Sequence, residues 1–419
     1  MRKLDRLVVV GASLAGLRAA QTLRDEGYTG DLTLVGAEPH LPYNRPPLSK
    51  SLLTGDDDVA LPGSDQLDAR WLIGRNAVGL DTARQAITLD DGAQVPYDGL
   101  VITTGARPRR LDDSDMSLTG VHLLRTFDDA MNLRKALREG PRRVAVIGGG
   151  IIGGEVSSTL RALGIEVVLI DAAPAPMAGP LGETVGEWLA EHHTRNGVEL
   201  VSGVRVESLK GDGHVSAVRL SDGRSLPADL VIVGLGVLPN TEWLDGSGLH
   251  LDDGVLTDSA LFARGHANIV AAGDVARWPH GVFDDEYVRI EHWANANEQA
   301  PSPPATSSAA RRTPSRSPRC IPWAHACTAP ASSGPAFPEP PTRWWRSQVP
   351  LKRRSSPSAS DEAGSSSRRR GQLAQGTHQT APRHRRTSTA GHCNRGLTHT
   401  LPLGRSAPPG APAVGIPAI

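Results

Sequence analysis

Two glycine-rich stretches, Gly11-Ala-Ser-Leu-Ala-Gly16 and Gly148-Gly-Gly-Ile-Ile-Gly153, start 137 residues apart in the chain. Each follows an apolar run, residues 7–10 and 144–147, and each leads into a segment predicted to be helix, 17–24 and 155–163. Strand, tight turn and helix in that order form a dinucleotide-binding unit, because small residues let a pyrophosphate approach the backbone N–H groups at a helix N-terminus. A second apolar run follows in both cases, 32–35 and 167–170, and leads to Glu38 and Asp171, which lie 22 and 18 residues past the last loop glycine. A carboxylate roughly 20 residues on is placed to accept ribose hydroxyls. At Asp171 it would also repel a 2′-phosphate, so the second site is expected to prefer NAD over NADP. A lone glycine loop can simply pack a helix on a sheet. Two loops, each with an acidic partner, predict an α/β chain with two Rossmann-like dinucleotide-binding domains, one inserted in the other.

Composition divides the chain near residue 300. The first 300 of its 419 residues hold 28 basic and 42 acidic side chains; the remainder hold 17 and 3. The zero net charge is therefore a cancellation. Nineteen of the 33 prolines also fall after residue 300, among Ser and Arg runs such as 365–370. Such a segment buries too little apolar surface to offset its chain entropy, so a disordered tail is expected. Its Trp323, Trp344 and Trp345 do not interleave regularly with arginines, and neither nucleic-acid nor membrane binding is expected. No stretch is apolar enough to span a bilayer. The basic start before residues 7–10 superficially resembles a signal peptide, but its four-residue apolar run leads into the first glycine loop and is read as a strand. A cytoplasmic protein is expected.

Cys320, Cys327 and Cys393 all lie after residue 300. Disulfide-relay and reactive-thiolate chemistry, which need a cysteine beside the redox centre, are thereby excluded from the first 300 residues. His192 and His193 are adjacent on a predicted helix and read as surface residues, so no metal site is expected.

Further along, Tyr97-Asp98 leads into the apolar strand 100–102 and the turn Thr103-Thr-Gly-Ala-Arg-Pro108, while Asp229-Leu-Val-Ile-Val-Gly-Leu-Gly236 repeats that pattern. Ile269-Val-Ala-Ala-Gly-Asp274 then brings an aspartate to a strand end, where it could reach a ribityl hydroxyl. The expected organisation is a first nucleotide domain over 1–112, a second over 113–242, a return to the first over 243–299, and the tail over 300–419.

With these segments in view the chain resembles the FAD- and NADH-dependent ferredoxin reductases that serve cytochrome P450 and ring-hydroxylating oxygenase systems. The resemblance rests on Gly11–Gly16, Pro42-Tyr-Asn-Arg-Pro-Pro-Leu-Ser-Lys50, Leu124-Arg-Thr126, Gly148 to Glu155, Ala271-Ala-Gly-Asp274 and Glu291-His-Trp-Ala-Asn295, and covers residues 1 to about 299. The stretch from Arg45 to Lys50 stands where disulfide reductases of the wider group carry their redox cysteines.

The resemblance implies a set of roles. FAD would lie on Gly11, Ser13, Ala15 and Gly16, with Glu38 on its ribose, Arg45 and Lys50 nearby, the backbone at Ala77, Arg125 on a crossover strand, Asp274 on the ribityl chain and Trp293 near the ring. Lys50 would stand near the flavin N5. NADH would lie on Gly148, Gly150 and Gly153, with Asp171 on its ribose, Gly236 beside it and Glu155 close to the nicotinamide. Lys50 and Glu155 are the catalytic candidates; they also suit a structural ion pair at the domain junction. A hydride would pass from nicotinamide to flavin, and single electrons from there to a [2Fe-2S] ferredoxin or a rubredoxin. Electron delivery to oxygen or a quinone, and an inactive product, remain alternatives.

Several positions depart from the family pattern. Ser13 replaces the middle glycine of the first loop, Gly179 stands where an arginine is frequent, and Asn297 where an apolar residue is usual. After Gln299 the family continues with a helix of the type Gly-x-x-Ala-Ala-Arg-Asn-Leu-Leu and a third domain of strands. Here Pro301-Ser-Pro-Pro-Ala-Thr-Ser-Ser308 stands instead. With a suitable choice of synonymous codons, those residues can encode Val-Ala-Ala-Arg-Asn-Leu-Leu one frame over, and 341–350 can encode Asp-Glu-Val-Val-Glu-Val-Ala-Gly-Ser. The hypothesis is a one-base loss in the codons of Gln299 and Ala300. It fails if no base insertion in the nucleotide sequence restores a continuous third domain.

Overall fold

The computed structural model describes residues 4–55 and 57–299. The expected tail disorder, the three cysteines and the reading-frame hypothesis lie outside the described residues.

The first glycine loop joins β1 (Arg6–Val10) to α1 (Leu14–Asp25), followed by β2 (Asp31–Gly36). The second joins β3 (Arg143–Ile147) to α2 (Ile151–Ala162), followed by β4 (Glu166–Asp171). The strands fall on the apolar runs. Both helices start earlier than the sequence suggests, because each takes the last glycine of its loop into its first turn. A Cβ on Gly16 would lie 1.9 Å from the Gly11 carbonyl oxygen, and one on Gly153 1.9 Å from that of Gly148. Glycine is a poor helix former and draws a sequence reading past the true start. Here close packing of the turn, rather than propensity, decides where the helix begins.

β1 runs parallel to β2, in register from Leu7 with Leu32 to Val10 with Val35, and to Gly99–Ile102 on its other side. Arg70–Ile73 and Ile269–Ala271 complete a five-stranded parallel sheet. β3 sits likewise between β4 and Leu230–Val233, with Val198–Ser202 and Val121–Leu123 at the edges. In each sheet the chain first winds one way from its glycine-loop strand and later pairs on that strand's other side. The resulting switch point lies at the carboxyl ends of β1 and β3, where such sheets bind ligands.

Each sheet is covered on both faces, which accounts for strands of nearly continuous apolar sequence. Leu7 and Val9 pack with Ala19, Ala20 and Leu23 of α1, while Val8 and Val10 face Leu80, Ile87 and Leu89 of an antiparallel meander. The second lobe repeats this plan. Val144 and Val146 pack with Val156 and Leu160 of α2, and Ala145 and Ile147 face Leu209, Val215 and Val218 of a second meander. Each fully buried Leu or Val contributes about 1.5–3 kcal/mol, so the period-2 alternation along β1 and β3 fixes both layers at once.

The two lobes are joined by paired connectors, Ala106–Pro108 antiparallel to Val237–Pro239. The Thr104 hydroxyl donates to the Asn240 carbonyl and the Asn240 amide donates to the Thr104 carbonyl, both at 2.8 Å. Beyond the connectors Trp243 and Leu244 bury in the core beneath β1. The last described helix, Trp293–Glu298, lies against α1, where Arg18 Nε donates to Asn297 Oδ1 at 2.8 Å. Asn297 is thus a hydrogen-bonded position here. Among the described residues no helix is long and apolar enough to cross a membrane.

Candidate functional site

The two glycine loops are built alike. Gly11 (φ +114°) and Gly148 (φ +105°) occupy backbone space that L side chains avoid. Each extends its strand ladder, Gly11 N–H donating to Val35 O and Gly148 N–H to Ile170 O, both at 2.8 Å. A Cβ on Gly11 would lie 2.0 Å from the Thr103 carbonyl oxygen, and one on Gly148 2.1 Å from that of Gly234. The outer glycines are therefore pinned by the return strand and by each other. The middle position is different: a Cβ on Gly150 would meet no atom within 4 Å. In the first loop Ser13 stands at that position and is tolerated.

Ser13 and Gly150 are the N-caps of α1 and α2, and neither helix start receives a side-chain cap bond. The first N–H groups of both helices thus have no intrahelical acceptor and face a cradle of small residues, a donor set that suits a pyrophosphate.

Around the first loop, residues from separate stretches of the sequence form a chain. Glu38 accepts from Tyr43 Oη and Arg45 Nη2, both at 2.5 Å. Arg45 also donates to the Arg125 carbonyl at 2.6 Å and lies 3.4 Å from Ser13 Oγ. Arg125 Nη2 in turn donates to Asp274 Oδ2 at 2.8 Å. Arg125 follows the strand Val121–Leu123 rather than lying on it, and precedes a helix capped by Thr126 and Asp129. Asp274 sits in a one-turn helix next to Gly273, whose Cβ would come within 3.1 Å of the Ala15 side chain. Burial holds the Tyr43 hydroxyl well above its usual range, so it donates to Glu38 and never competes as an anion.

At the second loop Asp171 accepts from Gly149 N–H and Ala173 N–H, each at 3.0 Å. Gly179 lies in the short helix Ala178–Leu181, where an added methyl would meet no atom within 4 Å, so the space of a longer side chain is open. Gly236 is exposed and left-handed (φ +86°), and its carbonyl accepts from Arg109 N–H at 2.9 Å beside the connectors. His192 is a surface residue stacked on Trp188, whereas His193 is half-buried facing Gly154 of α2. Burial lowers the His193 pKa.

Lys50 and Glu155 meet where the lobes touch. Lys50 Nζ lies 2.6 Å from Glu155 Oε2. The same oxygen accepts the Ser49 hydroxyl at 2.5 Å, and the Thr159 hydroxyl donates to the Ser49 carbonyl at 2.8 Å. Trp293 is exposed at the start of the last described helix. Ala77 opens the first meander, paired with Leu89 and packed on the core beneath β1.

Sequence reasoning assigned no role to Tyr43, Ser49, Thr159, Arg289 or Glu291. Ser49 adjoins Lys50, and Thr159 follows Glu155 by one helical turn, so spacing held a clue to both. Arg289 had no such clue: it ion-pairs with Asp253 and Glu291 and donates to the Asp274 carbonyl at 3.2 Å. Burial raises the Glu291 carboxyl above its ordinary range, and Arg289 partly offsets this.

The sequence profile of the pyridine nucleotide-disulphide oxidoreductases matches residues 5–300. The chain belongs to this family. A relative within it is the ferredoxin-NAD(+) reductase component of the p-cumate 2,3-dioxygenase system of Pseudomonas putida, 40% identical over 302 residues, 71% of this chain and 73% of the relative. Another is the ferredoxin-NAD(+) reductase component of the biphenyl dioxygenase system of Paraburkholderia xenovorans, 38% identical over 283 residues, 66% of this chain and 68% of that one. A solved family structure, the covalent complex of putidaredoxin reductase with putidaredoxin, superposes with a TM-score of 0.67 at 34% identity over 71% of this chain and 73% of that one. Although the family takes its name from disulfides, the described residues contain no cysteine.

Proposed function

We propose that this protein is an FAD-containing reductase that takes electrons from NADH and passes them to a ferredoxin-type [2Fe-2S] protein or a rubredoxin in an oxygenase system. The observation that carries the proposal is the pair of open glycine cradles, one in each lobe, together with the Lys50–Glu155 ion pair on the helix that follows the second, among described residues that contain no cysteine. The family's relatives in dioxygenase systems support it. The proposed domain limits are 1–112 with 243–299 for the flavin part and 113–242 for the NADH part, and the proposed location is the cytoplasm.

FAD, when bound, supplies the chemistry of accepting two electrons as a hydride and releasing them singly. The chain's own residues bind and orient. On the first loop the N–H groups of α1 would hold the pyrophosphate, Glu38 has remaining lone pairs for a ribose hydroxyl, and the Arg125–Asp274 pair would fix the ribityl side. On the second loop the N–H groups of α2 and the Asp171 carboxylate would do the same for NADH. Lys50, as a mobile cation, would favour negative charge on a reduced ring, and Glu155 would orient the nicotinamide. No protein nucleophile is required, since holding two rings in contact is the catalytic task.

The test is an absorption spectrum of the purified chain followed by anaerobic NADH. Flavin bands that bleach with NADH more readily than with NADPH, together with cytochrome c reduction that depends on added ferredoxin, are the expected result. A colourless protein, or cytochrome c reduction indifferent to ferredoxin, overturns the proposal.

A further inference from the structure

We infer that Ser49 is a positioning residue for Glu155, and that Lys50 is the partner free to move. The inference rests on the NADH-dependent flavin reductase reading given above. Glu155 directs one oxygen, Oε2, to two donors: Ser49 Oγ at 2.5 Å and Lys50 Nζ at 2.6 Å. Those donors differ in how firmly they are held. The Lys50 side chain is 48% exposed and reaches Glu155 on a flexible stem, while also donating to the Pro46 carbonyl at 3.1 Å. An exposed ion pair of this kind contributes little, because solvent screens it and the long side chain loses rotamer freedom. Ser49 is only 2% exposed and has a single short side chain. Its own backbone is tied to the same helix, since its carbonyl accepts the Thr159 hydroxyl at 2.8 Å.

Thr159 lies one turn beyond Glu155 on α2, so Ser49 is fastened to that helix at two points, through Oγ and through its carbonyl. A hydrogen bond from a buried hydroxyl to a carboxylate belongs to the stronger, charge-assisted class. Lys50 can therefore swing away from Glu155 without releasing it. The Oε1 oxygen takes neither donor and stays available to a group arriving from the second loop. Ser49 thereby prepays part of the ordering that NADH binding requires.

The experiment compares the full chain with Ser49→Ala, Ser49→Thr and Thr159→Val by anaerobic stopped-flow, following flavin bleaching over a range of NADH concentrations to separate Kd from the rate of reduction. Ser49→Ala is expected to keep its flavin and bind NADH about tenfold more weakly, the loss expected for one hydrogen bond to a charged group. Ser49→Thr, which restores a hydroxyl, is expected to recover most of that loss, which a purely space-filling role would not explain. Should Ser49→Ala lose flavin, Thr159→Val replaces it, and a weakened Kd there supports the inference. Kd and rate within twofold of the parent in Ser49→Ala, or in Thr159→Val where it serves instead, overturn the inference but leave the reductase reading intact. A parent protein that NADH does not bleach overturns that reading itself.

Discussion

Asp171 accepts the Gly149 backbone N–H at 3.0 Å, and a methyl group on residue 149 would come within 2.2 Å of the same carboxylate oxygen. The strand end and the glycine loop are thus locked together before any nucleotide arrives. Asp171→Asn removes the charge and one acceptor. The expected outcome is an NADH Kd raised about tenfold, as for a lost hydrogen bond to a charged group, with a smaller preference over NADPH. Fluorescence titration with both nucleotides measures this, and an unchanged preference would refute the ribose role.

Gly150 and Gly153 should respond oppositely to alanine. At residue 153 the new methyl meets a backbone carbonyl that cannot yield, so Gly153→Ala is expected at or above the upper end of the about 1–3 kcal/mol typical of overpacking. At residue 150 there is open space within the protein, so Gly150→Ala should unfold within about 2 °C of the parent, less than a 1 kcal/mol change produces in a domain of this size. Its cost should fall on NADH binding. Thermal melts and NADH titrations of the two variants decide the matter.

Lys50→Ala removes an exposed ion pair, and thermal stability should change by less than about 1 kcal/mol. Flavin reduction by NADH should slow while flavin content holds. A stopped-flow rate equal to that of the parent would leave Lys50 as a surface ion-pair partner only.

Asp98 supplies a pH-dependent contribution. The Arg6 guanidinium, hydrogen-bonded at 2.9 Å, holds its carboxyl below the usual carboxylate range, helped by the Arg6 backbone N–H. The native state therefore binds fewer protons than the unfolded chain in this range, and stability rises with pH there. The contribution is complete above the unfolded-state pKa and is lost as pH falls through the lower folded-state pKa. Asp98→Asn should be less stable than the parent at neutral pH, with the gap closing as the solution is acidified. Denaturant melts between pH 7 and pH 3 test this, and a gap that stays constant would contradict it.

Much of this architecture was legible because β1, β2, β3 and β4 are buried on both faces and so carry unbroken apolar runs. The glycine spacing located both loops. Helix starts were misread because Gly16 and Gly153 serve a packing need that opposes their helix propensity. Partnerships such as Arg45 with the Arg125 carbonyl, or Arg289 with Asp253 and the Asp274 carbonyl, join positions far apart in sequence and carry no periodic signal. The Glu38 carboxylate shows the limit from the other side: its position was readable, but its engagement by Tyr43 and Arg45 was not.

The place of Ile269–Ala271 in the first sheet also sets an order of synthesis. That strand hydrogen-bonds along Gly99–Ile102, so the lobe that begins at the N-terminus lacks its edge until the ribosome has passed residue 271. The other sheet has all five of its strands once Val233 has emerged. The later-starting lobe can therefore close first, while the earlier one waits with Gly99–Ile102 paired to β1 on one side only, the kind of exposed edge on which nascent chains associate wrongly.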